Sequence, residues 1–215
     1  MPTSSPSVAN AYLSLLTIFM SAIAILVSLS TAAITAYLQY FRKPKLDMFV
    51  SQWLRTWNSS DGNLVLNAGI TLSNFGAQYA VVTKIDGLVI DTSNQESIEI
   101  EWSKFIVFEN TAEKGKAFQP HGSFAGWADY LVIPNREAVA HSIQFFTKQP
   151  FLGNPSRYRL IFTAHAGSGV KSKAIATAEV EFEINEAEAE KLLITRVNPD
   201  TGISNSSVGF RTAHV

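Results

Sequence analysis

Four histidines, His121, His141, His165 and His214, are the side chains of this sequence best suited to proton transfer or metal ligation, and they are scattered. No two fall at the i, i+2 or i, i+4 spacing that aims two imidazoles at one metal ion. The run Ala166-Gly167-Ser168-Gly169-Val170-Lys171 invites comparison with a phosphate loop. The closing Gly-Lys-Ser/Thr of that motif is missing, and no helical pattern follows. Ser168 and Lys171 also have the Ser-x-x-Lys spacing of some acyltransferases, whose chemistry needs the pair on a helix so that the amine can take the hydroxyl proton. A glycine hairpin does not supply that frame.

Carboxylates give a second candidate. Glu99 and Glu101, and again Glu179, Glu181 and Glu183, line alternate positions of two strand-like segments. Ca²⁺ takes six to eight oxygen ligands, but the solvated face of an antiparallel sheet has the same pattern. Asp129 and Glu137 are single carboxylates without a visible partner. The chain has no Cys, which excludes a disulfide framework, a thiol nucleophile and thiolate metal sites. The expectation is a protein without cofactor or metal, and not an enzyme. Trp53, Trp57, Trp102 and Trp127 remain. Trp102 is expected in the core, while Trp53, Trp57 and Trp127 are interface candidates, because aromatic side chains dominate binding hot spots.

The elements that would hold these residues begin with a membrane helix. Residues 1–41 contain no Lys, Arg, Asp or Glu, and Arg42, Lys43 and Lys45 follow at once. A bilayer core about 30 Å thick needs roughly 20 apolar residues, which residues 12–41 exceed. Tyr12 at one end and Tyr37, Tyr40 and Phe41 at the other sit where interfacial aromatic belts sit. A cleaved signal peptide is the competing reading, with Thr31-Ala32-Ala33 as a processing site. Against it, the N-terminal flank lacks basic residues and the apolar run is longer than an h-region of about 7–15 residues. Basic residues are retained on the cytoplasmic side. Arg42, Lys43 and Lys45 are therefore the orientation signal, for an N-terminus outside and a C-terminal domain in the cytoplasm at the cell (inner) membrane. Ala24, Ser28, Ala32 and Ala36 recur every fourth residue, a stripe on which a second transmembrane helix can pack closely.

Past Pro44 the pattern is one of short strands bounded by Gly, Pro, Asn, Asp or Ser. Segments 46–57, 64–73, 79–90, 97–102, 105–108, 130–133, 141–147, 157–164 and 174–184 suggest a β-sandwich. Asp86-Gly87 reads either as a tight hairpin turn or as a bulge inside one long strand. Asn185 followed by Glu188 reads as a capping box that opens a short helix. The organisation expected is a tail over 1–11, a transmembrane helix over 12–41, a β-sandwich over 42–184, a helix over 185–197 and a disordered tail over 198–215.

The segment Leu72-Ser73-Asn74-Phe75-Gly76, with Val81, Val82 and Ile85 after it, resembles the Asn-x-Gly turn of bacterial immunoglobulin-like adhesion and scaffold modules. Phe118-Gln119-Pro120-His121-Gly122-Ser123-Phe124 is similar to the Pro-Gly turn that precedes another strand in those modules. The resemblance implies an immunoglobulin-like antiparallel sandwich and nothing catalytic. A second likeness, to membrane-tethered β-sandwiches of the late-embryogenesis-abundant type, rests on the order of helix then strands.

The chain has 18 acidic and 17 basic side chains, so nothing in its charge calls for nucleic acid. Its expected partners are the lipid bilayer and a protein partner, or a second copy through the transmembrane helix or the sandwich. The expected role is a non-catalytic, membrane-anchored interaction module or accessory subunit. The alternative is a tethered sandwich, possible also outside the cytoplasm, that binds a lipid or small apolar ligand between its sheets. A hydrolase of unrecognised type ranks third.

Overall fold

A computed structural model describes residues 6–58, 63–109, 121–150, 154–167, 172–197, 208–211 and 213–214. Ser168 and Lys171 and the first half of the Pro-Gly turn lie outside the described residues. The chain divides into two compact units, Met1–Lys43 and Pro44–Val215.

The first unit is a helix, α1 (Pro6–Ala36), continued by a π-helical turn at Tyr37–Phe41. Asn10–Phe41 is long and apolar enough to cross a membrane, with mean hydropathy 2.3 and none of that window buried. Four of its hydroxyls are satisfied within the helix: Thr17 donates to the Leu13 carbonyl at 2.8 Å, Ser21 to Thr17 at 2.7 Å, Ser28 to Ala24 at 2.8 Å and Thr31 to Val27 at 2.8 Å. Such back-bonding removes the polar cost of a hydroxyl in an apolar surrounding. The helix stops where Arg42 turns extended, at φ −63° and ψ 121°, two residues before Pro44.

The second unit is mainly β. Its strands are β1 (Leu46–Asn58), β2 (Asn63–Asn74), β3 (Ala80–Val82), β4 (Lys84–Asp91), β5 (Ser97–Glu109), β6 (His121–Trp127), β7 (Leu131–Ile133), β8 (Ala138–Pro150), β9 (Ser156–Ala166), β10 (Lys173–Ile184), β11 (Val208–Arg211) and β12 (Ala213–His214), with α2 (Glu186–Val197) before β11. Ten of them form one sheet in the order β11-β1-β2-β8-β5-β4-β9-β10-β12, with β6 on β5, while β3 pairs β7 separately. Every pairing is antiparallel.

A single residue separates β11 from β12, yet β11 lies on one end of the sheet and β12 on the other. One stretch of chain therefore bridges both edges and brings the sheet close to a closed barrel. The expectation was two sheets packed face to face; hydrogen bonding instead joins ten of the strands in one sheet and leaves β3 and β7 as a separate pair. It was also that 198–215 would be disordered, and Val208–Arg211 and Ala213–His214 correct this for the part described. Their strand character comes from the two edges they complete rather than from their own short sequence.

Alternate residues of the long strands fill one core: Leu64, Leu66, Ala68, Ile70 and Leu72 from β2, Leu160, Phe162 and Ala164 from β9, and Val180, Phe182 and Ile184 from β10. Period-two burial is the direct outcome of the alternation of Cβ directions. α2 covers this core with Ala189 and Leu192. It opens as the capping box predicts, the Asn185 N–H donating to Glu188 Oε2 at 2.9 Å and the Glu188 N–H to Asn185 Oδ1 at 3.0 Å.

Gly87 is neither turn nor bulge. It pairs in unbroken register with Ile100 on one side and Phe162 on the other. A Cβ there would meet Ile100 Cγ1 at 2.5 Å and Cδ1 at 2.7 Å, so glycine is needed for close packing. Gly87→Val is expected to lower unfolding free energy by about 1–3 kcal/mol through overpacking, measured by urea denaturation; an unchanged midpoint would sink this account of the glycine.

Candidate interaction surface

Register fixes which side chains share the outer face of the wall β1-β2-β8-β5-β6. Leu54, Ala68 and Ile143 pair in sequence and are buried in the core. Their neighbours Arg55, Asn67, Gln144, Lys104 and Trp127, also paired in a row, must face outward. The next row is Gly69, Ser142, Ile106 and Phe124. Two aromatic ridges stand on this face. Phe124 and Trp127 pack edge to face at 5.3 Å and are 56% and 70% exposed. Trp53, 64% exposed, stands on β1. Four inter-strand steps separate β1 from β6, about 19 Å.

Trp53 projects because β1 bulges. Val50 pairs Ile70 and Leu54 pairs Ala68, so Ser51, Gln52 and Trp53 face Gly69 alone. The bulge is pinned by Ser51, whose hydroxyl donates to the Trp53 carbonyl at 2.8 Å. A Cβ on Gly69 would lie 3.0 Å from Ser51 Cβ. Between the ridges, Asn67 and Gln144 are buried, and the Gln144 amide donates to Asn67 Oδ1 at 3.1 Å. A buried amide costs free energy unless partnered, and the pair supplies that partner.

The opposite wall, β5-β4-β9-β10, is charged. Lys84 Nζ lies 2.7 Å from Asp86 and 3.5 Å from Glu101, His165 Nε2 lies 3.3 Å from Asp86, and Arg159 lies 2.8 Å from Glu179. The hydrogen bond from Lys84 to Asp86 raises the lysine above its ordinary pKa. Exposed pairs of this kind stabilise by only about 0–1 kcal/mol; they keep this wall wet. Glu99 and Glu101 sit on this side with Glu179 and Glu181, and among the described residues no three His, Asp or Glu side chains converge to hold a metal ion.

Two turns hold the barrel ends. Asn74 ties three segments, donating to the Gln78 carbonyl at 2.8 Å, Pro134 at 3.2 Å and Ile133 at 3.4 Å, while its Oδ1 accepts from the Gly76 N–H at 2.9 Å. Asp91 accepts from Ser156 Oγ at 2.6 Å, Ser93 Oγ at 2.7 Å and the Ser93 N–H at 2.9 Å. Burial pushes its carboxyl up, and these donors outweigh burial and hold it below the usual carboxylate range. Beside it, burial and the Asp91 charge push the Tyr158 hydroxyl up to about 12.

Of the residues singled out in the sequence, Trp53 and Trp127 are exposed on one wall and Trp57 is half-buried there, paired with Val65. Trp102 packs against the core, edge-on to Phe105 at 6.0 Å. Of the histidines whose side chains are described, His141 rests on Phe105 at 5.1 Å and His165 faces Asp86, in separate surroundings. Ala24, Ser28 and Ala32 are exposed and Ala36 is partly covered. Arg42, Lys43 and Lys45 are exposed. Phe124 and the Asn67–Gln144 pair were missed. The aromatic spacing from Phe124 to Trp127 was readable; the amide pair, 77 residues apart, had no sequence signal.

No protein family matches the chain, and no curated protein matches it. Among solved structures, the putative ApaA protein of Bordetella pertussis is 13% identical, covering 64% of this chain and 94% of that one, with a TM-score of 0.34. The sporulation control protein Spo0M of Bacillus subtilis is 9% identical, over 80% and 67%, with a TM-score of 0.31. A family 123 glycoside hydrolase of Clostridium perfringens is 17% identical, over 60% of this chain and 22% of the enzyme, with a TM-score of 0.31. Likeness at this level carries no argument about the chain.

Burial holds the His141 imidazole below the ordinary histidine pKa of 6.5. Because the folded imidazole resists the proton, the unfolded chain takes it up first as pH falls, and stability present above about pH 6.5 is lost toward the lower folded value. His141→Gln is expected to flatten the loss of denaturation midpoint between pH 7.5 and 5.5. Parallel slopes for the two proteins would count against it.

Proposed function

We propose that this chain is a single-pass, membrane-anchored, non-catalytic interaction module, with α1 in the bilayer and the barrel displayed in the cytoplasm. The observation that carries the proposal is Asn10–Phe41, uncharged and without a buried residue in its apolar window, with Arg42, Lys43 and Lys45 close after it. An apolar helix of that length without a protein cover needs a lipid one. The placement of the basic residues favours an uncleaved anchor with its N-terminus outside. The immunoglobulin-like likeness belongs to the same proposal, as a scaffold that displays its outer strands.

The surface offered to a partner is the aromatic wall. Trp53, Phe124 and Trp127 expose large apolar rings in water, which hydrophobic burial makes costly to leave bare, and aromatic residues of this kind act as anchors in protein interfaces. The charged wall opposite favours remaining in solvent. A second contact, helix to helix along Ala24, Ser28, Ala32 and Ala36, would bring copies or partners together within the membrane.

Two experiments test this reading. With single cysteines introduced as Ser4→Cys and Ser206→Cys, a membrane-impermeant maleimide on intact cells is expected to label the first and spare the second; the reverse overturns the orientation, and a soluble shortened product overturns the anchor. Trp53→Ala with Trp127→Ala is expected to cut recovery of a stoichiometric partner, or of the homo-oligomer, from detergent extracts at least tenfold while the circular dichroism stays unchanged. Undiminished recovery would remove the aromatic wall from the proposal.

A further inference from the structure

The strands β1 and β10 run side by side, and among the described residues no ladder joins them. Bridging by β11 and β12 reaches only Trp53–Thr56 of β1 and Val180–Glu181 of β10. Where the two strands begin, a crevice of about 350 Å³ opens between them and β3. Its floor is apolar: Leu46 and Ala80 are buried, and Val81 and Ile175 are half-buried. Its rim carries two exposed cations, Lys45 and Lys173, with the exposed ring of Tyr79. Among the described residues that line it, none is acidic.

We infer that this crevice binds one anionic phospholipid of the membrane that α1 spans, its phosphate between Lys45 and Lys173 and the upper part of an acyl chain along Leu46, Val81 and Ile175. The inference rests on the anchored reading above. An apolar floor under a doubly cationic rim matches an amphiphile with an anionic head, and the volume falls within the range of small-molecule pockets. The covalent tether supplies the source: only Arg42 and Lys43 stand between Phe41 and Pro44, and three residue steps span at most about 11 Å. Anionic lipid is abundant in the cytoplasmic leaflet, the side that Arg42 and Lys43 assign to the barrel. Tyr79 has the amphipathic ring suited to headgroup depth.

The test uses the full chain in detergent micelles, titrated with phosphatidylglycerol or phosphatidylcholine and read by native mass spectrometry. One phosphatidylglycerol is expected to be retained in preference to phosphatidylcholine, and Lys45→Gln with Lys173→Gln is expected to weaken retention about tenfold. Ala174→Trp, a rim residue whose enlargement fills the crevice without removing a core contact, is expected to weaken it as strongly. Arg42→Gln with Lys43→Gln should leave it nearly unchanged. Equal retention by the wild type and the lysine variant, or equal retention of the two lipids, overturns the site, and displacement by equimolar free oleate overturns the assignment to a bilayer lipid. Failure of the anchor itself reads differently: alkaline carbonate would then release the chain from membranes, whatever the micelle result.

Discussion

A sheet edge leaves a row of backbone N–H and C=O groups without partners, and removing such edges is the constraint around which this domain is organised. The row of seven strands from β1 to β10, β1-β2-β8-β5-β4-β9-β10, would by itself leave two edges. The chain deals with both at once, because β11 and β12 are successive and pair with opposite ends of the sheet. Closure then lets inward residues from every wall meet in one core, with Phe145 and Phe162 in ring contact at 4.8 Å across it. Closure is also incomplete, and the crevice at the start of β1 and β10 is where the bridging strand does not reach.

Closure leaves the outside of the barrel free to differ from wall to wall. On β4, β9 and β10 the outward positions hold Lys84, Asp86, Arg159, His165 and Glu179, which pair with one another. On β1 and β6 they hold Trp53, Phe124 and Trp127. The stability of the fold requires neither pattern, since both lie outside the core. The asymmetry thus bears on what the barrel meets: one wall is suited to water, and the other gains by being covered.

Features set by neighbours in sequence were legible from the start. The capping box at Asn185 and Glu188 needs only three residues of separation, and the alternation of Val180, Phe182 and Ile184 with glutamates repeats within one strand. The uncharged helix and the basic residues that end it are likewise local. Features set by distant partners were not legible. Gly87 carries the signature of a turn, and only the approach of Ile100 explains why it sits mid-strand. β5 reads as two segments around Ser103-Lys104, because a bulge in its pairing with β8 interrupts the pattern without ending the strand. The exposed site was half readable: tryptophan content pointed to Trp53 and Trp127, but which of four rings face outward depends on register.

The bridging strand also sets an order in time. Trp53 emerges from the ribosome 158 residues before its partner Arg211, an interval of roughly 8–30 s at common synthesis rates of 5–20 residues/s. Under the proposed anchoring α1 has by then had ample opportunity to enter a bilayer, whereas the edges of β1 and β10 have been waiting. Closure of the barrel therefore follows the making of β1 to β10, and under the proposed anchoring it takes place at a surface where the chain is already held, so that its open edges meet fewer others than those of a chain folding free in solution.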